Sequence, residues 1–89
     1  MDADLDKMFN TTFDKISKLK KAIAPDIMLK LYAFYKQASF GNHFSFNPEP
    51  NVRSAFKLNA WMQLNGMSTE QAKREYIELA NKILNNNKK

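Results

Sequence analysis

Two phenols and an ammonium group share one face of a predicted helix in this chain. Tyr32 lies three residues before Tyr35 and four before Lys36, and residues at these separations are neighbours on a helix surface. Arg53 and Lys57 are also four residues apart. Cations in this arrangement can hold a phosphate by charge-assisted hydrogen bonds, and phenol rings can stack on an aromatic base. The pattern predicts a site for an anionic, partly aromatic ligand.

This prediction requires several helices to converge. Tyr76, in a later helical segment, supplies the third phenol of the chain. Arg53 and Lys57 fall near the predicted start of their helix, where backbone N–H groups and the helix dipole also favour an anion. If these helices meet, three cations and three phenols surround one site. Taken singly, each residue also has an ordinary explanation as a boundary aromatic or a solvated cation.

The helix that holds Tyr32 carries two apolar stripes, whereas an ordinary surface helix needs only one. The stripe typical of a protein core comprises Ile27, Leu31, Phe34 and Ala38. The second stripe, roughly 130° away by helical geometry, comprises Met28, Leu29, Tyr32, Tyr35 and Lys36. It mixes aliphatic, phenolic and cationic groups, so we expect it to face the ligand. We expect Lys30, Ala33 and Gln37 to form the remaining polar edge.

Helical periodicity extends over four segments, about residues 5–20, 25–39, 52–64 and from 68 onward. Pro25 lies at a predicted helix start, and Gly41 is placed to end that helix with a left-handed cap. The run Ser68-Thr69-Glu70-Gln71 has the form of a capping box, in which Gln71 reaches back to the cap. On the third segment one side holds Phe56, Ala60, Trp61 and Leu64. We predict an all-α, four-helix bundle.

Size and composition narrow the classes of function. A chain of 89 residues with 44% hydrophobic residues fits one domain, spanning residues 1–89. The net charge of +5 favours an anionic partner such as nucleic acid, acidic lipid or a phosphorylated ligand. The chain has no cysteine, which excludes disulfides and thiolate metal sites, and the lone His43 cannot anchor a zinc ion unaided.

Motifs for catalysis or membrane insertion are missing from the sequence. It contains no G-x-S-x-G, H-E-x-x-H, P-loop or dinucleotide-binding motif, so we predict binding and not catalysis. The acidic start Met1-Asp2-Ala3-Asp4 precedes no long apolar run, which argues against a signal peptide. No stretch approaches the ~20 apolar residues that span a bilayer.

Three motifs resemble those of the acyl-CoA-binding protein family. Phe9, Ile16 and Leu19 also match the apolar spacing of the family's first helix, so the resemblance extends over nearly the whole chain. The run Leu31-Tyr32-Ala33-Phe34-Tyr35-Lys36-Gln37-Ala38-Ser39-Phe40-Gly41 is similar to the family signature L-Y-x-x-Y-K-Q-A-T/S-x-G. Lys57-Leu58-Asn59-Ala60-Trp61 resembles the segment K-W-x-A-W, with leucine in place of the first tryptophan. Residues 66–77 resemble the pattern G-x-S-x-x-x-A-x-x-x-Y-I.

The resemblance implies an up-down-down-up bundle that binds thioesters of coenzyme A with medium to long fatty chains. Family roles fall on the matching positions of this sequence. Tyr32, Lys36 and Lys57 correspond to residues that hold the ribose 3′-phosphate region. Tyr35 corresponds to the phenol that stacks near the adenine, and Tyr76 to a further tyrosine of the nucleotide site.

Three further positions complete the implied site. Met28 and Leu29 correspond to residues that line the acyl groove, and Arg53 stands in for a lysine one turn before Lys57. The resemblance also implies a non-enzymatic carrier and pool former for fatty acyl-CoA in the cytoplasm. Such a protein needs no cofactor or metal and binds no nucleic acid. We expect it to be a monomer without stable membrane insertion.

Two alternatives come from other classes of protein. A basic helical domain that binds nucleic acid would need arginine, asparagine or glutamine side chains reaching base edges from one exposed face. The fourth segment offers only Lys73, Arg74 and Asn81, which are scattered around the helix. Alternatively, the second stripe of the Tyr32 helix could dock a partner helix.

Overall fold

The computed structural model describes residues 2–20, 22–41 and 52–86, except for the side chains of residues 2, 52–54 and 86. Four helices occupy these ranges: α1 (Asp2–Ser17), α2 (Pro25–Phe40), α3 (Val52–Met62) and α4 (Thr69–Asn86). The described residues form no strand, so the predicted all-α, four-helix bundle is confirmed. The predicted α1 was placed three residues too late, at 5–20 against the observed 2–17. His43 lies outside the described residues.

The helix ends follow the local sequence signals with two exceptions. Pro25 occupies the first turn of α2. Gly41 after its last turn has a positive φ, 61°, but its ψ of −134° lies outside the left-handed helical region, so the predicted left-handed cap was wrong. At the start of α4 the Ser68 hydroxyl oxygen accepts the Gln71 backbone N–H at 3.0 Å. The predicted return bond from Gln71 to the cap was wrong. Its side-chain amide donates instead to Glu75, one turn further on, at 2.7 Å.

The hydrophobic core lies where α4 packs against both α1 and α2. Its buried members are Phe9, Leu31, Ala38, Ala72, Tyr76, Ile77 and Ala80. Ile27 and Phe34 pack against this cluster while partly exposed, so the predicted core stripe of α2 is confirmed. Ala72 and Ala80 are fully buried, and their small side chains let α4 approach its neighbours closely.

The predicted polar edge of α2 was wrong for two of its three residues. Lys30 is exposed, but Ala33 and Gln37 are buried, because α3 packs on α2. The Gln37 amide N–H donates to the Met67 carbonyl at 2.7 Å, and its carbonyl oxygen accepts the Trp61 indole N–H at 3.1 Å. These bonds satisfy a polar group that would otherwise be costly to bury.

The pairing of the helices leaves two clefts. Within the described residues, α4 packs on α1 and α2, and α2 packs on α3. The backbones of α1 and α2 do not come close to each other, and the same is true of α3 and α4. The Lys73 ammonium pairs with the Asp6 carboxylate and links α4 to α1. Among the described helices, none combines the length and the apolar character that a membrane crossing requires.

Candidate ligand-binding site

The cleft between α1 and α2 forms an open groove of about 620 Å³, which we call the α1–α2 groove. A volume of this size falls in the range of small-molecule sites, ~300–1,000 Å³. Its lining is mostly apolar and aromatic: Phe13, Ile16, Ser17, Leu19, Ile23, Met28, Leu31, Tyr32, Tyr35, Lys36 and Tyr76. Four of the five residues of the second stripe of α2 therefore face this cavity: Met28, Tyr32, Tyr35 and Lys36.

A second groove adjoins the first where α2 and α3 begin. This α2–α3 groove has a volume of about 740 Å³ and is lined by Ile23, Pro25, Met28, Leu29, Tyr32, Phe56 and Lys57. Ile23, Met28 and Tyr32 line both grooves, so the two cavities form one continuous apolar surface. Tyr32 stands at their junction.

Two ammonium groups lie over the Tyr32 ring at this junction. The Lys36 Nζ atom is 5.6 Å from the ring centroid, and the Lys57 Nζ atom, from α3, is 5.2 Å from it. Both distances are within the range of cation–π attraction. Neither lysine pairs with a carboxylate among the described residues. The junction therefore concentrates uncompensated positive charge beside an apolar surface, which attracts an anion.

Lys36 is also held by aromatic rings outside the grooves. Its Nζ atom lies 4.8 Å from the Phe40 ring centroid and 5.6 Å from that of Trp61. Trp61 is itself fixed, because its indole N–H donates to the Gly41 carbonyl as well as to Gln37, each at 3.1 Å. Part of the lysine's conformational freedom is therefore already lost before a ligand arrives, which lowers the entropy cost of binding.

Four aromatic rings cluster between α1, α2 and α4, and three of them, Phe13, Tyr35 and Tyr76, line the α1–α2 groove. Tyr35 stacks on Phe13 of α1, with ring centroids 4.8 Å apart and planes inclined by 22°. Phe9 lies 5.9 Å from Tyr35 and meets Tyr76 edge-on at 5.1 Å. These contacts bridge α1 and α2 through side chains alone. They leave Tyr35 partly exposed at the groove.

Both Tyr32 and Tyr76 keep their hydroxyl protons at neutral pH. Burial raises the pKa of Tyr32 above its usual 10.0. Burial, together with the neighbouring Tyr35, raises the pKa of Tyr76 to about 12. A protonated phenol can donate a hydrogen bond as well as accept one, so each hydroxyl can serve as a donor to a phosphate or carbonyl oxygen.

The raised pKa of Tyr76 predicts a loss of stability at alkaline pH. The folded chain binds this proton more tightly than the unfolded chain. The contribution of the Tyr76 hydroxyl to the free energy of unfolding is therefore complete below pH 10.0 and is lost as the pH rises through about 12. We expect Tyr76→Phe to remove this part of the pH dependence. Urea unfolding of both proteins across the interval measures it, with tyrosinate absorbance as a direct check. Equal slopes for the two proteins would contradict the prediction.

The structure brings together most of the predicted site residues. Those that line one or both grooves are Met28, Leu29, Tyr32, Tyr35, Lys36, Lys57 and Tyr76. Arg53 belongs to the first turn of α3, but its side chain lies outside the described residues. Tyr76 is also a core residue, with only 2% of its surface exposed. The role of each in binding stays a prediction.

Sequence reasoning did not assign Phe13, Ile23 and Phe56 to the site, among other lining residues of the two grooves. Phe13 and Ile23 line the α1–α2 groove, and the spacing of Phe9 and Phe13, four residues apart, was a signal for an aromatic face on α1. Phe56 was grouped with Trp61 on one side of α3, but Trp61 is buried while 58% of the Phe56 surface is exposed. Phe56 lines the α2–α3 groove instead.

Fold and site together define a small helical protein built around an open, apolar groove with a basic rim. The acyl CoA binding protein family matches residues 6–80 of the chain. The chain therefore belongs to the acyl-CoA-binding protein family.

Individual relatives agree with this assignment. The acyl-CoA-binding protein of Saccharomyces cerevisiae is 33% identical over 79 residues, which cover 88% of this chain and 91% of that protein. The acyl-CoA-binding protein homolog of Drosophila melanogaster is 36% identical over 72 residues, which cover 80% and 84%. A crystal structure of acyl-CoA-binding protein 2 from Oryza sativa has a TM-score of 0.83 and 30% identity, covering 92% of both chains.

These findings confirm the predicted family and its four-helix fold. They do not favour the alternatives of a nucleic-acid-binding domain or a module that docks a partner helix.

Proposed function

We propose that this protein binds fatty acyl-CoA esters and releases them unchanged. The observation that carries the proposal is the position of the Lys36 and Lys57 ammonium groups. Both lie over the Tyr32 ring, where the α1–α2 and α2–α3 grooves meet. A ligand with phosphates beside a long apolar chain is complementary to this arrangement. The names of the related proteins support the same ligand.

The two parts of the ligand would be bound by different forces. Burial of the fatty chain against Met28 and Leu29 contributes about 0.8 kcal/mol per methylene. Lys36 and Lys57 would bind the 3′-phosphate region with the Tyr32 hydroxyl, and Arg53 would add a further cation. The Tyr35 ring would stack near the adenine. Chain length then dominates affinity, while the nucleotide provides specificity.

Tyr76 has a different part in this proposal, because its ring already belongs to the core. Only its hydroxyl group would contact the nucleotide. Because the pKa of that group is raised, the hydroxyl keeps its proton and can donate a hydrogen bond. The groove is lined by phenols, an ammonium group, a hydroxyl and apolar side chains. These groups can hold and orient a thioester, which supports a carrier that does no chemistry on its ligand.

We further propose that the chain acts as a single acyl-CoA-binding domain over residues 1–89. It would be a monomer that carries and pools medium- to long-chain esters in the cytoplasm, without cofactor, nucleic acid or stable membrane insertion. The family model, which matches residues 6–80, supports one acyl-CoA-binding domain within these residues. Gel filtration with and without palmitoyl-CoA tests the monomer, since a ligand-induced dimer would elute earlier.

Calorimetric titration with palmitoyl-CoA, free CoA and palmitate tests the proposed ligand. We expect the ester to bind most tightly, free CoA to bind more weakly, and palmitate to bind poorly because it brings no phosphate to Lys36 and Lys57. Palmitate binding as tight as that of the ester would contradict the proposal. Absence of binding by both the ester and CoA would contradict it as well.

The Tyr32 hydroxyl group can be tested separately from its ring. We expect Tyr32→Phe to weaken palmitoyl-CoA binding by about 1 kcal/mol, the usual contribution of one hydrogen bond. The variant keeps the ring that lies below Lys36 and Lys57, so its free energy of unfolding should match that of the parent. An unchanged affinity for the ester would remove this hydroxyl from the polar part of the site.

A further inference from the structure

A third cavity lies on the other side of α2, in the cleft between α3 and α4. This α3–α4 groove has a volume of about 540 Å³. Apart from Leu29 and Phe56, its apolar lining residues are Ala33, Phe34, Ala60, Leu64 and Leu79. Polar and charged side chains complete the lining: Asp26, Lys30, Asn59, Gln63, Glu75, Glu78 and Lys82. The proposed function makes no use of this groove.

Two side chains belong to both this groove and the α2–α3 groove. Leu29 of α2 and Phe56 of α3 line each of the two cavities. Phe56 is not packed into the core, since 58% of its surface is exposed. With one cavity on either side of them, Leu29 and Phe56 stand as a partition between two apolar surfaces.

We propose that Phe56, together with Leu29, sets the length of fatty chain that this protein prefers. The inference rests on the proposed binding of acyl-CoA. A chain that lies against Met28 in the α2–α3 groove reaches the Leu29–Phe56 partition as it lengthens. Carbons beyond the partition gain no further burial, although the α3–α4 groove continues the apolar surface on the far side.

The size of the Phe56 side chain then determines where affinity stops rising. Each methylene that becomes buried raises affinity about fourfold, so the affinity of the natural protein should increase with chain length and then level off. Phe56→Ala removes the ring and joins the two grooves. The chain length at which affinity levels off should increase, because carbons that formerly remained in water can enter the α3–α4 groove.

Titrations with lauroyl-, myristoyl-, palmitoyl-, stearoyl- and arachidoyl-CoA test this inference. For each ester we compare the affinity of Phe56→Ala with that of the natural protein. We expect this ratio to rise at least about tenfold from the shortest to the longest ester, because the variant should bury at least two more methylenes of the longest chain. Phe56→Trp should shift the plateau towards shorter chains. Met62→Ala is a matched control, because Met62 is similarly exposed on α3 but lines none of the three grooves.

Parallel affinity curves for Phe56→Ala and the natural protein would overturn the inference, even if both bind every ester. The same holds if Met62→Ala shifts the plateau as far as Phe56→Ala does. These failures differ from a failure of the proposed function, in which the natural protein would bind none of the esters. Since Phe56 is exposed, the variants should fold, which circular dichroism verifies.

Discussion

Replacing Lys36 with alanine is expected to weaken palmitoyl-CoA binding by about 1.5–3 kcal/mol, the range for hydrogen bonds to charged groups. This corresponds to a loss of roughly ten- to 150-fold in affinity. The effect should be large because the Lys36 ammonium is held over the Tyr32 and Phe40 rings and pairs with no carboxylate in the described part of the chain. Its charge is therefore available to a phosphate.

Lys30→Ala provides the matched control for this measurement. Lys30 is an exposed lysine on the same helix, and it lines neither the α1–α2 nor the α2–α3 groove. Both variants lose one positive charge, so only a local contact with the ligand can separate them. The measurement is calorimetric titration with palmitoyl-CoA. If Lys36→Ala gives the same binding curve as the parent protein, Lys36 does not bind phosphate. Equal losses in both variants would indicate a general effect of net charge.

Replacing Gln37 with alanine is expected to lower the free energy of unfolding by about 2–4 kcal/mol, from an unsatisfied polar group and a small cavity. Gln37 is fully buried, and its amide group connects α2 to Met67 and to Trp61 of α3. Without it, the Met67 carbonyl loses a donor at 2.7 Å. The Trp61 indole keeps its bond to the Gly41 carbonyl, which limits the loss.

Urea unfolding followed by circular dichroism measures this change. Gln63→Ala is the control, because Gln63 is an exposed residue just after α3 and substitutions at such sites usually change stability by less than about 0.5 kcal/mol. A Gln37→Ala protein as stable as the Gln63→Ala protein would show that the buried amide contributes nothing. Because Gln37 holds α3 against α2, its loss should also weaken ester binding through Lys57.

The helices and the core stripe of α2 could be predicted from sequence because they depend on local periodicity. Leu31 and Ala38 recur at helical spacing, and they are buried as predicted. The grouping of Tyr32 with Lys36 was likewise local, since residues four apart on a helix are always neighbours. The approach of Lys57 to the same ring depends on the packing of α3 on α2. Spacing alone left this convergence as a condition, and the family resemblance implied it.

The burial of Gln37 could not be read from its residue type. Glutamine is usually exposed, and its position beside Lys30 and Ala33 on the helix surface suggested a polar edge. Which edge of α2 receives α3 is a long-range property, and the hydrogen-bond partners Trp61 and Met67 are 24 and 30 residues away. Phe56 was misplaced for the same reason. Its exposure depends on how α3 packs against the neighbouring helices, which periodicity alone does not specify.

In the described residues α1 and α2 meet only through aromatic side chains, without close packing of their backbones, and this has a thermodynamic consequence. A helical bundle normally fills its core with its own side chains. Here a ligand bound between α1 and α2 would provide packing contacts that the two helices do not make with each other. Thermal stability then depends on the concentration of the ligand. The free energy of unfolding increases by ~2.7 kcal/mol when the free ligand is at one hundred times its dissociation constant. In a cell such a protein would be most durable, and most protected from proteolysis, when lipid metabolites are abundant.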